Sequence, residues 1–215
     1  GMGKKTIFWI LFVLFSVVSL LFALAYFSEA FPLVSLDLKM DRSAAFKFAR
    51  VLAEENGWGP EGFRQAASFG VDGTVQNYVE LEAGGAEAFR EMIRGELYSP
   101  YTWEVRHFRE NETNETAVYF TPEGDPYGFV ERLPEDQPGA ALERLTAREL
   151  SERTARESWG ITLGDYQLIE ESGEVRPGGR VDHAFVYERK VKGPGSSTYR
   201  LRLGVSGDRL TELSR

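Results

Sequence analysis

The stretch Thr6–Phe27, TIFWILFVLFSVVSLLFALAYF, holds 22 residues without one charged side chain. At about 1.5 Å rise per residue it makes a helix of roughly 33 Å, enough to cross a hydrocarbon core about 30 Å thick. A helix of a soluble protein keeps a polar face, and here only Thr6, Ser16 and Ser19 interrupt the apolar surface. Lys4 and Lys5 precede the run, while Glu29 and Asp37 follow it. The positive-inside bias then predicts a single-pass cell-membrane protein, with a cytoplasmic N-terminus and an extracytoplasmic region from about residue 28. A cleaved signal peptide is the alternative, since Ala23-Leu24-Ala25 and Ser28-Glu29-Ala30 resemble A-x-A sites, although signal h-regions run only about 7–15 residues. Gly1 before Met2 reads as an expression scar.

Only two of the 25 Lys+Arg, Lys4 and Lys5, precede residue 28, so the rest of the chain sets 23 against 33 Asp+Glu, a net charge of −10. That balance argues against nucleic acid or an anionic lipid surface as the main partner. Cysteine is absent, which removes thiol catalysis and cysteine metal sites. A region of this size builds a core without disulfides.

The pattern after the helix predicts an α+β fold of helices and antiparallel strands in blocks. An apolar connector at 28–40 leads to a helix capped by Asp41 and stopped by Asn56-Gly57. Strands are expected at Phe63–Phe69 and Val75–Leu81, with a further helix near 86–94 (Phe89, Met92, Ile93). Tyr101, Trp103, Val105 and His107 share one face of the next strand, and Thr116–Phe120 and Tyr127–Leu133 follow across the turns NETNE and PEGDP. The loop Pro134–Gly139 opens a linker at 134–145. Beyond it, Thr146 and Glu149 form a capping box flanked by Leu145 and Leu150, and that helix ends at Trp159-Gly160. Strands at Tyr166–Glu170, Ala184–Arg189 and Tyr199–Val205 complete the chain, the last alternating Leu201, Leu203 and Val205 with Arg200 and Arg202.

The two regions 41–133 and 146–215 rhyme. Each has a helix leading into Trp-Gly (Trp58-Gly59, Trp159-Gly160) and then a strand. Trp103 precedes Gly124-Asp125 by 21 residues, and Phe185 precedes Gly207-Asp208 by 22. An internal repeat follows as the expectation: a helix packed on an antiparallel meander, made twice, with an insertion in the first copy.

No catalytic constellation emerges, and no cofactor or metal is expected. His107 and His183 stand alone, without H-E-x-x-H spacing, and the parity of His107 predicts a packed strand histidine. Glu54-Glu55 reads as a solvated helix end and Glu170-Glu171 as a strand end. Asn111-Glu112-Thr113 and Asn114-Glu115-Thr116 match the glycosylation pattern, yet a polar turn favours the same residues. The glycine pairs lack phosphate-loop spacing. Tyr98-Ser99-Pro100-Tyr101 sits on a turn, where exposed Tyr98 and Tyr101 would suit a peptide or protein partner, the alternative being core packing.

The blocks VSLDLKMDRSAA, NGWGPEGFRQAASFGVD, VQNYVELEAGG, YSPYTWEVRHFRE, NETAVYFTPEGDPYGFVERL, PGAAL, PGGRVDHAFVYERK and YRLRLGVSGDRLTE occur in this order. So arranged behind a single apolar helix, they resemble the extracytoplasmic N-terminal region of bacterial CPBP (CAAX protease and bacteriocin-processing) intramembrane metalloproteases. The two halves are similar in pattern to PepSY- or cystatin-like modules. The resemblance implies a non-catalytic module that binds substrate or partner beside a protease domain. That family's Glu-Glu-x-x-x-Arg motif has no counterpart: in Glu170-Glu171-Ser172-Gly173-Glu174-Val175-Arg176 the arginine falls one position late, so no catalytic residue carries over. A free-standing anchored binding or inhibitory protein is the other reading.

Overall fold

Asp41 accepts a 2.7 Å hydrogen bond from the Ala44 N–H and so caps α2, Arg42–Asn56, which ends at Gly57 in the left-handed region (φ 65°). These residues belong to a computed structural model that describes residues 3–30, 38–72, 98–191 and 197–215. The expected strand Val75–Leu81, the helix near 86–94 and connector positions 31–37 lie outside the described residues. The N-terminal helix α1, Lys4–Ala30, belongs to a unit of its own, apart from the unit Leu38–Arg215. Within α1, Lys5–Tyr26 has a mean hydropathy of 2.8. Among the described residues it is the one helix long and apolar enough to cross a membrane.

The described residues contain eight antiparallel strands: β1 Arg64–Val71, β2 Tyr101–Phe108, β3 Glu115–Phe120, β4 Pro126–Arg132, β5 Gln167–Val175, β6 Val181–Val191, β7 Ser197–Ser206 and β8 Arg209–Ser214. The helix α3, Arg144–Trp159, lies between β4 and β5 in sequence. The strand order is β1-β2-β3-β4-β8-β7-β6-β5. Each half is therefore a helix followed by a four-stranded meander, and the last strands of the two meanders pair through Phe129↔Leu213 and Val130↔Glu212. The regions expected as two repeats share one sheet.

Both helices lie on the same hydrophobic core. Ala45, Ala49 and Ala53 of α2 and Ala147, Ser151 and Ala155 of α3 are buried at i, i+4 spacing, so small side chains bring each backbone close to the sheet. Val105, Val118, Phe120, Phe129, Phe185, Leu201, Leu203 and Leu213 meet them from the strands. At the junction Phe129 stacks on Trp58 (4.1 Å between centroids) and on Trp159 (5.3 Å), which ties both Trp-Gly corners to β4.

Three expectations change. The box at Thr146 and Glu149 is not the helix start: α3 begins at Arg144, and Glu143 occupies the N-cap position without a side-chain bond. The first helical bond, Ala147 N–H to Glu143 C=O, already places Thr146 inside the first turn, where its hydroxyl has no capping role. The strand expected at Tyr166–Glu170 runs on to Val175 as the sheet edge β5, so Glu170-Glu171 sits in mid-strand. Finally, the segment expected as a linker is pinned: the Arg180 guanidinium donates to the Pro134 and Gln137 carbonyls, and the Val181 N–H donates to the Ala140 carbonyl.

Candidate binding face

Among the described residues the helices cover one face of the sheet, and the residues of opposite parity form the other, which no described helix covers. Register alone defines a row across all eight strands on that open face: Ala66, Arg106, Ala117, Val130, Glu212, Gly204, Ala184 and Ser172. From β3 to β5 every member but Glu212 is small or a valine, so the face dips along this line. At Gly204 the Glu212 side chain lies close over the backbone, so a Cβ there would stand only 2.8 Å from the Glu212 Cβ. A cavity of about 1190 Å³ lies over the second-half part of the row, with Val130, Gly204, Ala184 and Ser172 in its lining.

Charged side chains stand around it in pairs. The Arg202 Nε donates to Glu212 Oε2 at 3.0 Å. Further along the same face, away from the cavity lining, Arg106 grips Glu115 with two nitrogens, at 3.2 and 2.5 Å. At the end of the cavity Asp182 accepts from Arg176 Nε at 2.7 Å and from Arg180 Nε at 2.7 Å. Burial works to raise the Asp182 carboxyl, but the hydrogen bonds from Arg180 and Arg176 outweigh it and hold it below the ordinary aspartate value.

The same face carries a smaller cavity of about 260 Å³, lined by Asp72, Tyr98, Tyr119, Tyr127 and Arg215 and sharing Val130 with the larger one. Tyr98 donates its hydroxyl to Asp72 Oδ2 at 2.7 Å. Burial, then this bond to a carboxylate, pushes the Tyr98 phenol far above its ordinary value. The Tyr127 hydroxyl accepts from the Ser99 N–H at 3.2 Å. Arg215 lies over the Tyr127 ring, 4.9 Å from guanidinium carbon to centroid. Of the two tyrosines singled out in the sequence, Tyr98 thus lines a cavity. Tyr101 is only 4% exposed and stacks beside Phe69 on the helix-covered face, because its parity is that of Val105 and His107.

On the covered face a second register row, Gln65–His107–Thr116–Glu131, is polar and buried from β2 to β4. His107 stacks on Phe63 at 4.0 Å and meets Gln65 Nε2 at 2.9 Å. Arg50 donates to Gln65 Oε1, which fixes the amide so that Gln65 donates and the His107 Nε2 accepts. His107 is therefore neutral, and burial, then the nearby Arg50 charge, lowers its pKa to about 4. Glu131 accepts from Arg209 at 2.8 Å; burial pushes its carboxyl up against the opposing pull of Arg209 and the Gly59 N–H. The packed histidine expected from parity is what the strand contains. His183 lies 2.8 Å from the Leu142 carbonyl, so its Nε2 donates. Glu54 and Glu55 are exposed on α2, and Glu171 pairs with Arg144 at 3.1 Å. Among the described residues no group of three His, Cys, Asp or Glu is placed to hold a metal ion.

No known protein family, curated protein or solved structure matches the chain. Sequence reasoning missed the small-residue row, because its members come from all eight strands and align only once the register is known. The visible signal was the alternation in Tyr199–Val205, whose solvated parity contains Gly204.

Proposed function

We propose that this chain is a membrane-anchored, non-catalytic binding module that holds an extended peptide segment against the open face of its sheet. We further propose that it works as the substrate- or partner-binding part of a CPBP-like intramembrane protease, with the two meanders as copies of one PepSY-like unit. The observation that carries the reading is the small-residue row with the cavity of about 1190 Å³ over it, bordered by the Arg202–Glu212 and Arg176–Asp182 pairs. The apolar helix α1 supports delivery to a membrane. The lysines before it and the acids after it support an extracytoplasmic sheet.

Two measurements test this. Because the chain has no cysteine, Ser172→Cys on the exposed edge strand supplies a unique label. A membrane-impermeant maleimide should modify it in intact cells, and labelling only after permeabilisation would place the sheet on the other side. In the full chain reconstituted in nanodiscs, Ala184→Trp fills the trough and should weaken binding of extended peptides at least about tenfold, as loss of a buried contact area of this kind does. Unchanged binding by a folded Ala184→Trp variant overturns the trough.

A further inference from the structure

Tyr98, Tyr119 and Tyr127 bring three phenol rings to one cavity of about 260 Å³, and Asp72 adds a carboxylate to its lining. The volume falls below the roughly 300–1,000 Å³ of a small-molecule site, and so suits one side chain of a larger ligand. One cation already stands against one of these rings: the Arg215 guanidinium over Tyr127. Arg215 is exposed, and its guanidinium lies against the phenol from the solvent side. A planar guanidinium is the cation that stacks on a phenol face while its N–H groups reach a carboxylate. Tyr98, neutral and donating to Asp72, completes a wall that offers aromatic faces and negative charge together.

We infer that this cavity is a cage for an arginine side chain of a basic extended segment, and that Arg215 occupies it as an internal stand-in until such a segment arrives. The inference rests on the open face being the peptide-binding surface: the cage opens beside the trough, with Val130 in both linings. It adds the chemistry of the ligand. A region with a net charge of −10 draws basic segments toward it, and a cage of this kind selects among them.

The experiment uses the full chain in nanodiscs and two fluorescein-labelled hexapeptides, Gly-Ser-Arg-Ser-Gly-Ser and its twin with citrulline, the neutral isostere, at the arginine position. Anisotropy should show the arginine peptide binding about tenfold more tightly than its twin, in the range of a partly desolvated cation–π contact with a carboxylate nearby. Arg215→Ala, at an exposed position, should tighten the arginine peptide about threefold and leave the twin unchanged, because it removes the competitor. Asp72→Asn, also at an exposed position, should erase most of the discrimination, and Tyr127→Leu should do the same if its melting curve stays cooperative. Equal binding of the two peptides overturns the cage, as does an Arg215→Ala variant that tightens neither. Ala184→Trp separates the two ideas: if it abolishes both peptides while they bind equally, the trough stands and the cage falls. If arginine discrimination survives with affinity unchanged in Ala184→Trp, the cage stands and the trough falls.

Discussion

The two halves of the sheet have the same order of elements and bury different things. In the second half the covered face is mostly apolar: Phe185, Tyr187, Leu201, Leu203 and Val205 are buried there, with His183 as a single polar neighbour held by the Leu142 carbonyl. In the first half the row Gln65–His107–Thr116–Glu131 crosses the covered side, and its last member reaches Arg209 at the start of β8. The tyrosine cage also belongs largely to the first half, whereas the trough lies mostly over the second. Common topology thus leaves the content of each half free, and the junction at β4–β8 must hold them together.

The junction gives the largest expected effect. Phe129 is 1% exposed and stacks against both Trp58 and Trp159, which also lie against each other at 6.5 Å between centroids. Phe129→Ala should cost about 3–5 kcal/mol, the range for emptying a buried aromatic site. Because both Trp-Gly corners rest on that ring, denaturation followed by tryptophan fluorescence should show one transition in the native chain and a lower midpoint in the variant. A native chain that melts in two steps would mean that the halves are independent and the shared sheet is incidental to stability.

Acid should distinguish the halves next. His107 folds neutral with its pKa lowered to about 4, from an ordinary value of 6.5. The unfolded chain therefore binds a proton that the folded chain refuses, and stability present above pH 6.5 is lost as pH falls toward 4. The loss amounts to about 3 kcal/mol from this group. Glu131 works in the opposite sense, since its raised carboxyl takes a proton more readily in the folded state. Asp182, held below its ordinary 3.8, withdraws stability only at lower pH. His107→Gln keeps a hydrogen-bonding side chain without the titration, so denaturation between pH 7 and 4 should show a flatter slope than the native chain. An unaltered slope would remove the polar row as the source of acid sensitivity.

Much of this contrast was legible in the residues. The parity of Tyr101, Trp103, Val105 and His107 set the histidine inside, and Gly57 and Gly160 marked both helix ends. For Tyr98-Ser99-Pro100-Tyr101 the sequence left partner surface and core packing both open, and Tyr101 takes the core side that its strand parity indicates while Tyr98 lines a cavity. The full length of β5 was hidden for a different reason. An edge strand with one neighbour exposes both faces, so Gln167–Val175 carries no alternation to read. The β4–β8 pairing had no local signal at all, since it joins residues 84 and 82 positions apart through Phe129↔Leu213 and Val130↔Glu212. That same pairing creates the open-face row, so the row could not be seen before the register.

The smallest effect lies at the helix starts, where the halves differ by one side chain. Asp41 caps α2 through the Ala44 N–H at 2.7 Å, but Glu143 at the same position of α3 makes no side-chain bond. A glutamate carries its carboxylate one methylene too far to fold back on the first-turn N–H groups, whereas aspartate and serine reach them. Glu143→Asp should therefore gain about 0.5–1 kcal/mol, and Asp41→Ala should lose about 1 kcal/mol. The Asp retains the charge that favours a helix N-terminus, so the gain measures the hydrogen bond rather than the dipole. Both changes read out as shifts in the denaturation midpoint with an unaltered slope. If Glu143→Asp gains nothing while Asp41→Ala loses its full amount, the start of α3 is already satisfied by water, and the asymmetry between the halves at their caps is one of geometry without energy.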